Sequence, residues 1–206
     1  MTKIISWNLL RLTGASLDEI MRLIRDERPD LLLMQEATQL IDALPGQVGG
    51  DYFRSALPGR IHGVAVWSPT ALAAPPAVLA LQSGAMFRRV CQIVDLGVFA
   101  VANVHLSHGQ LLNRRQLRRI ESVLPPRAAI LGDFNLIGPT LLPGFRDVGP
   151  RRPTHLAGDI VPLRLDRCMT RGMDCVAATA LGRGSSDHRP IMVQLRMGAL
   201  RRSRAA

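Results

Sequence analysis

A short apolar run is followed at once by an acidic residue in the stretch Ala128-Ala129-Ile130-Leu131-Gly132-Asp133-Phe134-Asn135. Four consecutive apolar residues bounded by polar ones are typical of a strand that is buried on both faces of an α/β sheet. In open α/β sheets, the strand ends along one edge form the crevice in which ligands bind. The stretch therefore predicts an α/β fold with Asp133 at a binding crevice.

The same arrangement recurs at three other places along the chain. Ile4-Ile5-Ser6-Trp7 precedes Asn8, Leu31-Leu32-Leu33-Met34 precedes Gln35 and Glu36, and a strand predicted over 98–104 precedes His105. A single polar residue after a strand is usually a solvated loop residue, but four with this chemistry form a pattern. We therefore predict that Asn8, Glu36, His105 and Asp133 meet at one site.

Two helices and further strands separate these stretches. Ser16 and Glu19 have the spacing of a capping box, and apolar residues then recur at helical spacing, which predicts a helix over 17–28. A second apolar stripe predicts a helix over 112–124, ended by Pro125 and Pro126. Periodicity and turn residues predict the remaining strands over 64–67, 90–94, 163–169, 176–181 and 191–195, and an extended crossing loop over the proline-containing segment 69–84.

The length of 206 residues fits one domain with a substantial core. We predict a single catalytic domain over residues 1–197, acting as a monomer, followed by a basic and disordered tail over 198–206 that contains little apolar sequence. No apolar run approaches the roughly 20 residues that a membrane-spanning helix requires. The first residues have the pattern of a strand rather than of a signal peptide, and the three cysteines show no pairing pattern. These features predict a cytoplasmic protein.

The net charge of +10 points to a polyanionic partner, and Lys3 is the only lysine among the 26 basic residues. Arginine is better suited than lysine to bidentate contacts with phosphate. Nucleic acid is therefore the first expected partner, and an anionic phospholipid surface is the second. A row of arginines on the second helix, at positions 114, 115, 118 and 119, either follows a phosphate backbone or forms a solvated face, and we favour the solvated face.

Seven short motifs occur in a recognisable order along nearly the whole chain. They are Ser6-Trp7-Asn8, Pro29-Asp30 with Gln35-Glu36, His62-Gly63-Val64-Ala65, Asn103-Val104-His105-Leu106, Gly132-Asp133-Phe134-Asn135, Leu165-Asp166-Arg167 and Ser185-Ser186-Asp187-His188-Arg189-Pro190. In this order the chain resembles the endonuclease/exonuclease/phosphatase superfamily, which includes deoxyribonuclease I, exonuclease III and bacterial sphingomyelinases. The resemblance implies a four-layer α/β sandwich, in which two mixed β-sheets pack face to face with helices outside.

The resemblance also implies a metal site and a catalytic set. Glu36 is implied as the main ligand of Mg²⁺ or Mn²⁺, with Asn8 and Asp187 as further ligands, and both ions favour oxygen donors. His188 is implied as a proton-transfer group oriented by Asp166. Asp133 and Asn135 are implied to hold the attacking water or the phosphate oxygens, with Asn8 also near the phosphate.

His105 is implied as a second proton-transfer group or a phosphate ligand, although its acidic partner cannot be placed from the sequence. Two assignments of the general base remain open, namely His188, or Asp133 with His188 stabilising the phosphate. His155 is expected on a loop near the site. The number of metal ions also remains open.

These roles predict a metal-dependent phosphodiesterase that uses in-line attack of water, with a nuclease as the first candidate. A phospholipid or sphingomyelin phosphodiesterase is the alternative, although no apolar or aromatic loop stands out for membrane contact. A phosphomonoesterase and a non-catalytic binding module rank lower. Leu10, Ala37-Thr38 and Leu136-Ile137 depart from related motifs and weaken the abasic-site repair and inositol phosphatase interpretations.

Overall fold

The computed structural model describes residues 1–11, 13–83 and 88–198. Within those residues, the strands are β1 (Thr2–Asn8), β2 (Leu31–Thr38), β3 (Asp51–Ala56), β4 (His62–Ser68), β5 (Ala77–Ala80), β6 (Val90–Asp95), β7 (Ala100–His105), β8 (Ala128–Asp133), β9 (Arg146–Asp147), β10 (His155–Ala157), β11 (Val161–Leu163), β12 (Asp166–Arg171), β13 (Met173–Ala180) and β14 (Ile191–Met197). The α-helices are α1 (Leu17–Glu27), α2 (Leu44–Val48) and α3 (Gln110–Glu121), and a 3₁₀ helix spans Gln39–Ala43.

Two six-stranded sheets form the body of the fold, and β10 and β11 make a separate hairpin. The first sheet has the order β13-β14-β1-β2-β4-β3, and the second has the order β5-β6-β7-β8-β12-β9. Each sheet is mixed, because β1–β2 and β7–β8 are parallel pairs whereas the other pairs are antiparallel.

Three apolar clusters show how the layers stack. One cluster joins the inner faces of the two sheets, with Ile4 and Leu33 from the first sheet and Val101 and Leu131 from the second. A second joins the outer face of the first sheet to α1 and its neighbouring helical turns, and a third joins the outer face of the second sheet to α3. The predicted four-layer sandwich with helices outside is therefore confirmed.

The two main helices end where the sequence places their signals. Ser16 caps α1, and the reciprocal bonds between Ser16 and Glu19 complete the capping box. α3 ends at Glu121, before the proline pair, and the buried side chains of Leu117 and Ile120 face the second sheet. No helix among the described residues is long and apolar enough to cross a membrane.

Two sequence predictions about strands are wrong. The predicted crossing loop over 69–84 contains a strand, because Ala77–Ala80 pairs antiparallel with β6 at the edge of the second sheet. The predicted strand over 163–169 is two elements, since Leu163 ends β11 whereas β12 begins at Asp166. Most of the predicted tail, residues 199–206, lies outside the described residues.

Candidate active site

The ends of the central strands bring the predicted polar residues to one open cleft of about 480 Å³. Asn8 ends β1, His105 ends β7 and Asp133 ends β8, where His105 and Asp133 are paired across the parallel register. Seven of the eight predicted site residues line the cleft: Asn8, Glu36, His105, Asp133, Asn135, Asp187 and His188. The eighth, Asp166, is fully buried, pairs with Asp133 across β8 and β12, and contacts His188.

Asp133 is hydrogen-bonded to several neighbouring residues of the cleft. Its Oδ2 accepts a hydrogen bond from Asn8 Nδ2 at 3.0 Å and lies 3.4 Å from His105 Nε2, while its Oδ1 accepts one from the Asn135 backbone at 2.8 Å. Burial raises the pKa of Asp133, although the charge on His188 opposes that shift. Asp133 is therefore an acidic neighbour of His105 in this structure.

The turn after β8 is held in an unusual backbone conformation. Gly132 has φ +141°, and a Cβ at this position would lie 1.9 Å from the carbonyl oxygen of Val104 on the neighbouring strand. Asn135 has φ 46°, and Asn113 of α3 donates hydrogen bonds to the carbonyls of Phe134 and Asn135 at 2.6 and 3.0 Å. At position 132 only glycine allows β8 to approach Val104 of β7 so closely.

The amide of Asn135 is already used within the protein. Its Nδ2 donates to the carbonyl of Leu106 at 3.0 Å and lies 3.2 Å from Asp133 Oδ2. Asn135 therefore orients Asp133 in this structure, and its side-chain carbonyl is the part of the amide that remains available to other groups.

A buried histidine–carboxylate pair forms the floor of the cleft. His188 Nδ1 lies 2.8 Å from Asp166 Oδ2, and Trp7 Nε1 donates to the His188 carbonyl at 3.1 Å. Burial disfavours the charged ring, but the carboxylates of Asp166 and Asp133 outweigh burial and raise the pKa of His188 to about 10. His188 therefore carries a proton at neutral pH.

His105 has the opposite electrostatic environment. Burial lowers the pKa of His105 well below its usual range, and the positive charges of Arg89 and His188 add to the effect. The cleft thus places a charged imidazole, His188, near a neutral one, His105. Titratable neighbours whose pKa values are pushed apart are the arrangement that acid–base catalysis requires.

Glu36 occupies a strained position on β2. The register of β2 against β4 shifts between Met34 and Ala37, and Glu36 within this β-bulge has φ 57°, which is rare for a residue with a side chain. Bulges redirect side chains near functional sites. The Glu36 carboxylate is half-buried and accepts bonds from the Arg11 backbone at 3.2 Å and the Arg11 guanidinium at 3.3 Å.

The cleft has donor atoms suited to a hard divalent cation. Glu36 and Asp187 offer carboxylate oxygens and Asn8 an amide oxygen, and Mg²⁺ and Mn²⁺ prefer these donors. Asp187 Oδ1 is buried without a hydrogen-bond partner, which a cation would satisfy. Asp133, Asp166 and His188 also each place a possible ligand atom within 4.8 Å of the other two. The residues present therefore fit a bound divalent metal.

Comparison with known proteins establishes the family. A family model described as the endonuclease/exonuclease/phosphatase family matches residues 5–188, which is most of the chain. The chain belongs to the endonuclease/exonuclease/phosphatase family. A search of curated protein sequences found no match.

Solved structures of low sequence identity share the fold of this family member. An endonuclease/exonuclease/phosphatase protein from Bacteroides vulgatus aligns with a TM-score of 0.78 and 17% identity, over 95% of this chain and 98% of that one. Truncated TDP2 from Caenorhabditis elegans aligns with a TM-score of 0.74 and 21% identity, over 93% and 96%. TDP2 from D. rerio, in a complex with a single-strand DNA product, aligns with a TM-score of 0.75 and 17% identity, over 95% and 99%.

Several residues beyond the predicted site set also line the cleft. Arg89, only 5% exposed, precedes β6 and lines the cleft, where burial lowers its pKa against the opposing effect of Asp133 and Glu36. Arg11 and His62 also line it. His155, expected on a loop near the site, does lie in the cleft, but it belongs to the strand β10 because its backbone pairs with β11. Arg88-Arg89 directly before an apolar run is the signal that would have found Arg89. Arg11 follows the Asn8 strand end by three residues and carries no comparable signal.

Proposed function

We propose that this member of the endonuclease/exonuclease/phosphatase family is a metal-dependent phosphodiesterase, with nucleic acid as its substrate class. The observation that carries the proposal is the buried His188–Asp166 pair at 2.8 Å, which lies in the same cleft as Asp133 and Glu36. Phosphodiester hydrolysis requires proton transfer and stabilisation of negative charge, and a histidine–carboxylate pair beside a divalent-cation site can supply both.

The pKa shifts favour one of the two proton-transfer assignments that the sequence left open. His188 holds a proton at neutral pH, so it enters the reaction as a charged donor to a phosphoryl or leaving oxygen. Asp133 has a raised pKa, and a more basic carboxylate is the better acceptor for the proton of the attacking water. Asp166 keeps the ring of His188 in one orientation. Neutral His105 lies beside Asp133 Oδ2 and can share the proton that Asp133 takes from the attacking water.

Glu36, Asn8 and Asp187 would hold the divalent metal. When bound, such an ion polarises a phosphoryl oxygen and stabilises negative charge, which contributes several kcal/mol at the transition state. Mg²⁺ and Mn²⁺ are the ions that this oxygen-rich set favours. The proposal also explains the strained backbone of Glu36, because strained residues are retained where they position a functional group such as a metal ligand.

Charge and fold together favour nucleic acid. The chain has a net charge of +10, and Arg11 and Arg89 place two guanidinium groups on the cleft itself. Arginine binds phosphate through paired donors. The D. rerio TDP2 structure that shares this fold contains a single-strand DNA product, which supports a polynucleotide rather than a small ester.

A phospholipid phosphodiesterase is the second candidate, and an apolar rim favours it. No apolar loop stands out in the sequence, but the β10–β11 hairpin, whose Ala157 and Leu163 line the cleft, exposes Ile160 (81%) before β11 and Val161 (52%) at its start. Ile137, which is 60% exposed, lines the cleft on the loop after β8. Exposed aliphatic side chains around a phosphate-binding cleft are suited to contact with a lipid surface.

The proposal is tested by Glu36→Gln, which keeps the shape of the side chain and removes its charge. With Mg²⁺ and a chromogenic phosphodiester, we expect the variant to lose activity on the order of 10³-fold, which corresponds to several kcal/mol of lost charge stabilisation. Glu121→Gln is the matched control, because Glu121 pairs with Arg171 outside the cleft. Hydrolysis that persists in excess EDTA, or a Glu36→Gln variant with wild-type turnover, would contradict the metal site.

Substrate class is decided in the same assay. Single-stranded DNA, RNA and mixed phospholipid vesicles are offered separately to the wild-type protein with Mg²⁺. Cleavage of nucleic acid with inert vesicles supports the nuclease, and the reverse pattern establishes the lipid candidate.

A further inference from the structure

Two imidazoles and a carboxylate meet at one side of the cleft. His155 on β10 forms an isolated bridge with His188, and their rings lie 4.3 Å apart between centroids at an angle of 41°. Backbone bonds on both sides fix this contact, from Leu156 N to the Asp187 carbonyl at 3.1 Å and from Arg189 N to the Thr154 carbonyl at 2.6 Å. The hairpin therefore holds His155 against the Asp187-His188 pair.

The polar atoms of these three side chains are close but not hydrogen-bonded to one another. His155 Nδ1 lies 3.6 Å from Asp187 Oδ2, and His188 Nε2 lies 3.9 Å from Asp187 Oδ1. His155 Nδ1 and Asp187 Oδ1 are both buried without a hydrogen-bond partner. A buried polar atom without a partner is destabilising, so the cluster gains from a ligand that satisfies both atoms at once.

The spacing and the donor types match a small borderline cation. Each of the three residues offers a ligand atom within 4.8 Å of the others. Zinc–nitrogen bonds of about 2.0–2.1 Å place tetrahedral ligand atoms roughly 3.3 Å apart, so small side-chain movements would close the site. Two nitrogen donors with one carboxylate favour Zn²⁺ over Mg²⁺, which prefers oxygen alone.

His188 also has the support that zinc-binding histidines usually have. Its Nδ1 is bonded to Asp166 Oδ2, which turns Nε2 towards the cleft. A carboxylate behind the imidazole fixes the ring and makes the other nitrogen a stronger donor to a metal. Zinc at Nε2 would replace the proton that His188 otherwise carries there, and that proton is released to solvent. Asp133 Oδ2, 3.9 Å from His188 Nε2, adds further negative charge on the cleft side.

We propose that His155, Asp187 and His188 form a Zn²⁺ site, and that zinc bound there inhibits the enzyme by occupying His188 Nε2. The two donor sets share Asp187, and the imidazoles of His155 and His188 distinguish the zinc set from the oxygen-rich set of Glu36, Asn8 and Asp187. Of these two histidines, only His155 has no role in the proposed reaction. The zinc-binding part stands on the geometry alone, whereas the inhibitory consequence rests on the proposed function.

Zinc binding is measured first, on the full chain stripped of metal and without substrate, by competition with a chromogenic zinc chelator. We expect one tight Zn²⁺ per chain, and a loss of affinity of at least about tenfold in both His155→Phe and His155→Gln, the lower end of what loss of a supporting partner alone costs. Phenylalanine at position 155 keeps the ring contact with His188 but removes the metal-binding nitrogen. Glutamine keeps a polar side chain there, so it serves as the test if the phenylalanine variant does not fold. His108→Phe is the matched control, because exposed His108 lines the same cleft outside the cluster.

Two further measurements complete the test. Anomalous diffraction at the zinc edge should place the ion in contact with His155, Asp187 and His188, and added Zn²⁺ should inhibit Mg²⁺-supported hydrolysis less in His155→Gln than in the wild type. An ion located at Glu36 and Asn8 instead, or unchanged zinc affinity in both His155 variants, would overturn the site. Zinc binding at the site without any inhibition would overturn the inhibitory role alone. An inactive protein that still binds zinc through His155 would count against the proposed function and not against this site.

Discussion

His188 and His105 show how far neighbouring groups can separate two chemically identical side chains. Both are at least 95% buried and both lie close to Asp133 Oδ2, yet only His188 is bonded to a second carboxylate. The charge of Asp166, together with that of Asp133, raises the pKa of His188 despite its burial. No charge of similar effect opposes the lowering of the pKa of His105 by burial. The catalytic assignment proposed above therefore depends mainly on Asp166.

Replacing Asp166 with Asn tests this dependence. The substitution keeps the size of the side chain but removes the charge that raises the pKa of His188, and it allows the ring to adopt the wrong tautomer. We expect kcat on a chromogenic phosphodiester to fall by up to about 10⁴-fold, the loss seen for the equivalent change in a Ser-His-Asp triad. Asp159→Asn, on the exposed hairpin turn, is the control. Wild-type turnover in a folded Asp166→Asn protein would mean that the pair has no catalytic role.

The same pKa shift predicts how stability depends on pH. His188 has a folded pKa of about 10 against 6.5 unfolded, so its charged form contributes stability that is fully present below pH 6.5. That contribution is lost as the pH rises from 6.5 through about 10, because the unfolded chain releases the proton first. Urea unfolding in EDTA should therefore show that His188→Gln destabilises the protein more at pH 6 than at pH 10. An equal loss at both values would show that the native ring is not charged.

Local patterns predicted single site residues where an apolar strand ends in a polar residue. Asn8, Glu36, His105 and Asp133 were placed together because apolar runs deliver them, and the structure brings them to one cleft. Asp166 and His188 required the motif resemblance, since their contact joins β12 to a loop 22 positions later. The pair Arg88-Arg89 before β6 is a local signal for a basic residue at a strand start, but the sequence does not show that this start lies at the cleft.

At the scale of elements, strands that are buried along their length were predictable from the sequence, whereas several partly exposed strands were not. β2, β7 and β8 are buried along nearly their whole length and appear in the sequence as apolar runs. β3 is half-buried over most of its length and shows no apolar run. β5 is a short apolar run, but it follows Pro75-Pro76 and lies mostly exposed at a sheet edge, so the prolines favoured a loop there. The β10–β11 hairpin has three residues per strand and is fixed by contacts with distant segments.

Helix α3 carries the arginine row, and the structure supports a prediction about it. Arg115, Arg118 and Arg119 are exposed, and none of the four arginines is among the residues that line the cleft. We expect Arg115→Glu combined with Arg119→Glu to leave kcat and KM unchanged on both nucleic acid and a small chromogenic diester. A KM for nucleic acid that rises at low salt, with the diester unaffected, would show instead that the row follows the substrate backbone.

For the whole molecule, a polar layer between the sheets fixes how the two halves of the cleft meet. Gln35 on β2 donates to Asn103 on β7 at 2.8 Å, and Asn103 in turn donates to the carbonyl of Ala65 on β4 at 2.9 Å. Both side chains are fully buried, and these bonds satisfy the amide nitrogens, which would be costly to bury unpaired. A sliding of one sheet over the other would break these bonds, so the layer keeps Glu36 and Asn8 facing His105 and Asp133.

The net charge of the molecule predicts how nucleic acid cleavage responds to salt. A net charge of +10, carried almost entirely by arginine, favours contacts with phosphates, and phosphate contacts carry no base information. Each contact releases counterions, so log KM for single-stranded DNA should rise with log salt concentration by about 0.7 per phosphate contacted. The chromogenic diester, with one phosphate, should respond far less, which separates substrate binding from effects of salt on the enzyme itself. Cleavage should also show little sequence preference across a set of oligonucleotides of equal length. Salt-insensitive cleavage at one defined sequence would show that base contacts, rather than the charge of the molecule, determine where this protein binds.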